Sequence, residues 1–471
     1  MKKSLLFLAA IAALGVSCSK TVSSVQQPGQ EAEDEAVRFG AYVNRGVTSK
    51  AGMSGTMDLA ALKVSGFGVF GYYTNDEPYS PAARPDFMYN QQVINAAGSW
   101  DYAPVKYWPN NYGAGAESDA IDRLSFFAYA PYVDVTYSTG LVNDNSTTGI
   151  TALTRNTAAG DPLVKYTASM DPATNVDLLW GVAAGNFTSS VDGNSNTVDA
   201  GNPFLNLIKP KTGDRLNFDF KHALAALNVQ IDTDVDVQGH QDGDLAPDTR
   251  IYVRSITFEG FTTKGALNLN SKAGSPIWTD LSGASRPDNT PVTVFDGRRD
   301  GREGVTSAVA ANETPVGLNP AVVQSVPYDD ASLTPGVTHD AVNLFNGAGL
   351  TTPVLVIPNG QSMKVTIVYD VETKDPKLAT TLADRETLGS SIENAITKAI
   401  LLTSGDDLTL EAGKKYTLTL HLGMTSVKVG ATVSDWDVAD SADTDLPGNV
   451  TTSASLGIGG VTVTPGSSEG I

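Results

Sequence analysis

The chain has little cysteine, little histidine, little charge, and no long apolar run beyond its first residues. Each shortage closes off a class of protein. Cys18 is the only cysteine among 471 residues, so no disulfide can form within the chain and the fold must rest on its core. The four histidines, His222, His240, His339 and His421, never fall at metal-ligand spacing, and no zinc site is expected. No G-x-S-x-G nucleophile elbow is present. Carboxylates are plentiful, but sequence spacing alone does not set two of them across a sugar. Charged residues make up 18% of the chain, and 32 basic residues face 52 acidic ones, a formal charge of −20. Phosphate binding needs the opposite sign, so nucleic acid and anionic lipid are poor partners. Past the N-terminus no apolar run reaches the roughly 18 residues of a membrane-crossing helix. The expectation is a protein without cofactor or metal, and not an enzyme.

What is present begins with a folding composition, 41% hydrophobic, over a length too great for one sandwich-type domain and comfortable for two. Lys2 and Lys3 precede an apolar run from Leu5 to Val16, about 12 residues long, which is the length of a signal-peptide core and too short to span a bilayer. Leu14-Gly15-Val16-Ser17-Cys18 follows, small residues ahead of a lone cysteine, which is what a lipoprotein signal peptidase needs. Cleavage before Cys18 would leave its thiol to carry lipid; the plainer alternative is a signal-peptide cysteine that is never modified. A thiol committed to lipid is also no nucleophile.

Residues 19–35 read as a flexible tether. Beyond them the texture is short β segments between Gly, Asn, Asp and Pro. In the first, Val37, Phe39, Ala41 and Val43 alternate and stop at Asn44-Arg45-Gly46. Further segments are expected at Leu62–Tyr73, Leu124–Ala130, Leu216–Ile231, Ile251–Phe261, Val354–Ile357, Met363–Val371 and Tyr416–Val433. One helix is expected where Ser390 and Glu393 form a capping box and Ile392, Ile396, Ala399 and Ile400 share a face. Polar loops are expected at Asn143–Asp161, Asn186–Asn202, Asp232–Arg250 and Leu281–Pro335, and a domain boundary near Lys209–Asp214.

Three apparent motifs carry little. Gly66-Phe67-Gly68-Val69-Phe70-Gly71 has the dinucleotide spacing, but aromatic and β-branched neighbours place these glycines in a strand rather than in a strand-to-helix turn. Asp232-Thr233-Asp234-Val235-Asp236 resembles a calcium loop, yet Val237 stands where such a loop needs glycine; the plainer reading is a solvated acidic loop. The aromatic stretch from Trp100 to Trp108 could be a carbohydrate platform, but such residues more often pack a core or hairpin. His222, inside an apparent strand, reads as structural.

Taken in order, several segments resemble the fimbrillin family of Bacteroidetes fimbrial subunits: the lipobox at Cys18, the first strand ending at Arg45, Pro104-Val105-Lys106-Tyr107-Trp108-Pro109, and Leu124–Tyr132. Asp177-Leu178-Leu179-Trp180, Leu216–Leu227, Ala412–Tyr416 and Val433-Ser434-Asp435-Trp436 complete the series. The resemblance implies an all-β fold: two transthyretin-like (Greek-key) β-sandwich domains with one short crossover helix. The implied division is signal peptide 1–17, lipidated tether and removable first strand 18–45, sandwiches 46–212 and 213–447, and tail 448–471. It implies export as a lipoprotein anchored in the outer membrane at the cell surface, and removal of the first strand (Val37, Phe39, Ala41, Val43) by an arginine-specific protease cutting between Arg45 and Gly46. Polymerisation with other fimbrial subunits by donor-strand exchange would follow. Leu456, Ile458, Val461 and Val463 are the candidate donor strand, with a slip of phase at Gly459-Gly460. The alternatives are a tip or accessory adhesin with a host glycan or protein ligand, and a monomeric glycan-binding surface lipoprotein.

Overall fold

The computed structural model describes residues 36–44, 56–75, 77–109, 121–134, 148–170, 172–191, 194–210, 214–233, 249–281, 290–296, 342–343, 353–373, 390–401, 406–422 and 427–435. Cys18, Arg45, Gly46, the 448–471 tail with its candidate donor residues, His240, His339 and Asp234–Asp236 lie outside them. Among the described residues nearly all regular structure is strand.

The largest sheet takes its order from one strand buried on both faces. In β5 (Leu124–Ala130), Leu124, Phe126, Ala128 and Ala130 point into one core while Phe127 and Tyr129 point into another, because successive strand side chains alternate. Its neighbours β2 (Phe67–Tyr73) and β8 (Leu179–Ala183) divide their side chains the same way. The sheet runs β1 (Phe39–Val43), β12 (Leu216–His222), β8, β5, β2, β3 (Met88–Ala96), β4 (Ser99–Asp101), with β11 (Phe204–Leu207) paired to β5. Beside it lies the hairpin of β9 (Phe187–Val191) and β10 (Asn194–Val198).

The second core is closed by a four-stranded sheet of β6 (Gly149–Leu153), β7 (Leu163–Thr167), β16 (Lys264–Lys272) and β17 (Ser275–Thr279), which contributes Val164, Tyr166, Leu267 and Trp278. A third core lies between two further sheets. One runs β15 (Phe261–Thr262), β20 (Val354–Pro358), β13 (Ala225–Thr233), β23 (Lys414–Leu422), β24 (Val427–Asp435), with β19 (Val342–Asn343) on β13. The other runs β18 (Val292–Asp296), β14 (Thr249–Glu259), β21 (Lys364–Thr373), β22 (Ser390–Ala399). Leu227, Phe258, Ile367 and Leu418 are fully buried there. Sheet membership crosses the expected division at residue 212: β12 and the β16–β17 hairpin pair with strands from before it.

The expected helix at Ser390–Ile400 is a strand. β22 pairs antiparallel with β21 over ten residues, from Lys364↔Ala399 to Thr373↔Ser390. Ile392, Ile396 and Ile400 are four apart, which fits a helix face, but four is also twice two, so a strand sets them on one face equally well. Isoleucine and threonine favour the strand, and the ten-residue ladder decides it. The helix lies instead at α1 (Leu59–Ser65). Asp58 caps it, accepting from Ala61 N–H at 2.8 Å, and Gly66 ends it at φ 67°. The segment expected as strand from Leu62 therefore becomes strand only at Phe67.

Three stretches expected as loops carry strands: β6 within 143–161, β9 and β10 within 186–202, and β18 within 281–335. The run Leu216–Ile231 is two strands, since the chain passes from one sheet to another at Ala223-Leu224.

Candidate functional site: the seat of the first strand

β1 stands at the edge of the large sheet, and it is the one strand there that pairs in parallel. Its register on β12 runs Phe39↔Leu216, Gly40↔Asn217, Ala41↔Phe218, Tyr42↔Asp219, Val43↔Phe220. The sheet's other pairings are antiparallel. Leu216 N–H donates to Arg38 O at 2.8 Å and Asn44 N–H to Phe220 O at 3.1 Å, so both ends of β1 are tied to β12. Asn44 has φ 45°, a left-handed turn that ends the strand one residue before Arg45.

The other flank of β1 is formed by the chain after β4. Val37 N–H donates to Lys106 O at 2.9 Å, and Ala36 bridges Tyr107. Tyr102 closes this flank. Its hydroxyl donates to Val37 O at 2.7 Å and accepts from Lys106 N–H at 3.2 Å. Burial pushes the Tyr102 phenol up to about 12, because the charged form would lose its water. β1 therefore fills a slot with β12 on one side and the 102–107 segment on the other.

The floor of the slot is aromatic. The Phe39 ring lies 5.4 Å from Tyr102, 5.7 Å from Phe126 and 6.0 Å from Phe218. Trp108 packs on Phe126 from the same side at 6.0 Å. Val37, Phe39 and Ala41 are buried, and Val43 packs partly buried against the same core. Burying a phenylalanine with two or three aliphatic side chains contributes a few kcal/mol, about 2 for the ring alone. On the opposite face Tyr42 is 39% exposed. Gly40 lies beside Asn217 so closely that a β-carbon there would meet Asn217 Oδ1 at 2.1 Å.

A second anchor lies at Met57. Asp177 Oδ2 accepts from Met57 N–H at 2.9 Å and lies 2.7 Å from His222 Nδ1, at the end of β12. His222 is thus part of a buried structural pair. The aromatic stretch divides: Tyr102 and Trp108 pack inward, whereas Val105 and Tyr107 are each 47% exposed. Gly68 and Gly71 lie within β2, and Gly66 caps a helix that leads into that strand, the reverse of the strand-to-helix order a dinucleotide needs. Among the described residues no group of His, Cys, Asp and Glu could hold a metal ion, and no helix is long and apolar enough to cross a membrane.

Sequence reasoning named the strand residues of this slot and missed Tyr102 as its latch. The Tyr102–Val37 bond spans 65 residues of sequence, and no local pattern announces it.

An all-β protein with a parallel edge strand laid into an aromatic slot is the class that fold and site define. Residues 62–436 match the family described as fimbrillin-like, and the chain belongs to that family. It is 24% identical over 400 residues to fimbrium subunit Fim1C of Phocaeicola vulgatus, covering 81% of this chain and 84% of that protein. It is similar to a fimbrial protein from Bacteroides vulgatus known by crystal structure (19% identity, TM-score 0.46, 85% of this chain and 99% of that one). A third similarity is to the tip fimbrial protein Mfa3 from Porphyromonas gingivalis with C-terminal truncation (10% identity, TM-score 0.26, 79% and 94% covered). The family makes the chain a fimbrial protein of the cell surface, structural or adhesive rather than enzymatic.

Proposed function

We propose that this chain is the precursor of a structural fimbrial subunit that is exported as a lipoprotein on Cys18, cut between Arg45 and Gly46, and polymerised by donor-strand exchange. The observation that carries the reading is the seat of β1. A strand that joins its sheet in parallel at the edge, ends in a left-handed turn at Asn44, and is followed at once by an arginine is well placed to be removed. Its departure would leave β12 without backbone partners on one side and an open slot floored by Phe126, Phe218 and Trp108. An incoming strand from another subunit would restore both the main-chain bonds and the alternate side chains. In this scheme β1 keeps the precursor monomeric until export is complete, and the cut removes the plug together with the lipid anchor.

The test is conversion of purified precursor by limited trypsin. Wild-type precursor should stay monomeric until cut and then form SDS-resistant ladders. Arg45→Ala should remain monomeric and folded under the same treatment. Ladders of equal yield from the Arg45→Ala protein would show that the cut at this residue is not the trigger.

A further inference from the structure

The outer face of the sheet formed by β18, β14, β21 and β22 carries one continuous row of threonines. Val365, Ile367 and Tyr369 of β21 point into the third core, so Lys364, Thr366 and Val368 point away from it. In register with Thr366 stand Thr257 on β14 and Thr397 on β22, and Thr257 in turn faces Thr293 on β18. The row Thr293, Thr257, Thr366, Thr397 thus crosses all the strands of the sheet. Its hydroxyls are joined in pairs on the exposed side, Thr257 with Thr293 at 3.1 Å and Thr366 with Thr397 at 2.9 Å. On β14, β21 and β22 the rows to either side hold Ser255, Val368, Ala395 and Glu259, Lys364, Ala399. The acid in these rows, Glu259, lies 3.8 Å from the Lys364 ammonium. Asp296 stands at the margin, opposite Ser255. On a chain of formal charge −20, this is a face of mostly small side chains whose central charges cancel.

Such a face suits another sheet better than a small ligand. A sugar or cofactor takes a concave site with aromatic walls, and no aromatic residue stands in these three rows on β14, β21 and β22. Small side chains let two sheets pack face to face at about 10 Å. A copy of the same face meets it without setting acid against acid, whereas most other surfaces of so acidic a chain repel each other. We propose that this face packs on the same face of a second copy standing in a neighbouring fibre, and so bundles fibres side by side. Area decides the level at which this happens. Three rows about 6.8 Å apart on four strands about 4.8 Å apart cover roughly 400 Å². A stable dimer needs about 800 Å² from each partner. Single subunits therefore stay apart, and the repeat of the face along a fibre supplies the avidity. Salt should strengthen the contact, because it screens the repulsion between the acidic remainders. The inference rests on the structural-subunit reading above and adds a contact between fibres that involves neither β1 nor the tail.

The experiment compares fibres sheared from cells that carry the full-length chain as wild type, Thr366→Lys, Thr397→Lys or Thr188→Lys. Low-speed sedimentation and negative-stain microscopy give the bundled fraction, and SDS-resistant ladders report polymerisation separately. Thr188 is the control: it is exposed and paired with Thr197 across the β9–β10 hairpin, away from this sheet. Each lysine lowers the net acidity equally, which by itself favours association, so dispersal must come from a charge buried at the contact. The expected result is that Thr366→Lys and Thr397→Lys each cut the bundled fraction about fivefold with ladders unchanged, while Thr188→Lys stays within about twofold of wild type. Bundling undiminished in both row variants, equal loss in the control, or wild-type fibres that remain single would each overturn the inference. Row variants that bundle normally but lose attachment to host glycan or protein would assign the face to a host ligand instead. If wild type forms no ladder at all, the subunit reading fails and this inference fails with it.

Discussion

The Tyr102 hydroxyl donates to the Val37 carbonyl at 2.7 Å while its ring packs on Phe39, so one side chain holds β1 by both backbone and core. The ring makes the apolar contact and the hydroxyl satisfies a carbonyl that would otherwise be buried unpaired. Tyr102→Phe keeps the first and removes the second. It should weaken the seat of β1 by about 1 kcal/mol, read as a lower urea concentration at which the Arg38–Asn44 strand becomes susceptible to protease.

The same latch predicts a response to alkali. Tyr102 titrates at about 12 in the fold, against an ordinary value of 10.0. The folded state holds the proton to higher pH than the unfolded state. The stabilisation is therefore complete below pH 10 and falls as pH rises from 10 towards 12. Other buried tyrosines, Tyr72 and Tyr416 among them, are raised for the same reason and add to the loss. The difference between wild type and Tyr102→Phe isolates the latch: the two stability curves should converge across that window.

The two faces of β1 should respond differently to truncation. Phe39→Ala empties the aromatic slot and should cost about 3–5 kcal/mol, whereas Tyr42→Ala, on the outer face, should cost far less. Hydrogen exchange offers a direct check. The Leu216 amide, bonded to the Arg38 carbonyl, should lose protection in Phe39→Ala and keep it in Tyr42→Ala.

Much of this arrangement was legible in the sequence, for physical reasons that also mark the limits. The alternation of Val37, Phe39 and Ala41 named a buried strand, and Leu124–Ala130 read as a strand because nothing else accommodates so many aromatic and apolar residues between turn signals. Ser390–Ile400 misled because a spacing of four serves helix and strand alike. α1 was missed although Asp58 and Gly66 mark its ends, because the apolar residues after Gly66 extended the strand pattern backwards. The partner of Lys264–Lys272 could not be read at all: its pairing with β7 joins segments about a hundred residues apart, and local pattern carries no register over such a distance. The latch at Tyr102 and the contact of Gly40 with Asn217 are likewise products of three-dimensional pairing.

Cys18 is expected to carry the lipid. Replacing it with alanine should abolish metabolic labelling by palmitate and release the precursor from the membrane fraction. Unchanged labelling would place the anchor elsewhere.

The central claim is that β1 is a temporary occupant of its slot. The most direct measurement is the N-terminal mass and sequence of this chain in fibres sheared from the cell surface. The expected result is a chain beginning Gly46-Val47-Thr48, with the Val37–Val43 strand and any lipid gone. A fibre subunit that begins at a lipidated Cys18 and retains Val37–Val43 would contradict it, because the slot would then be permanently filled by the chain's own strand.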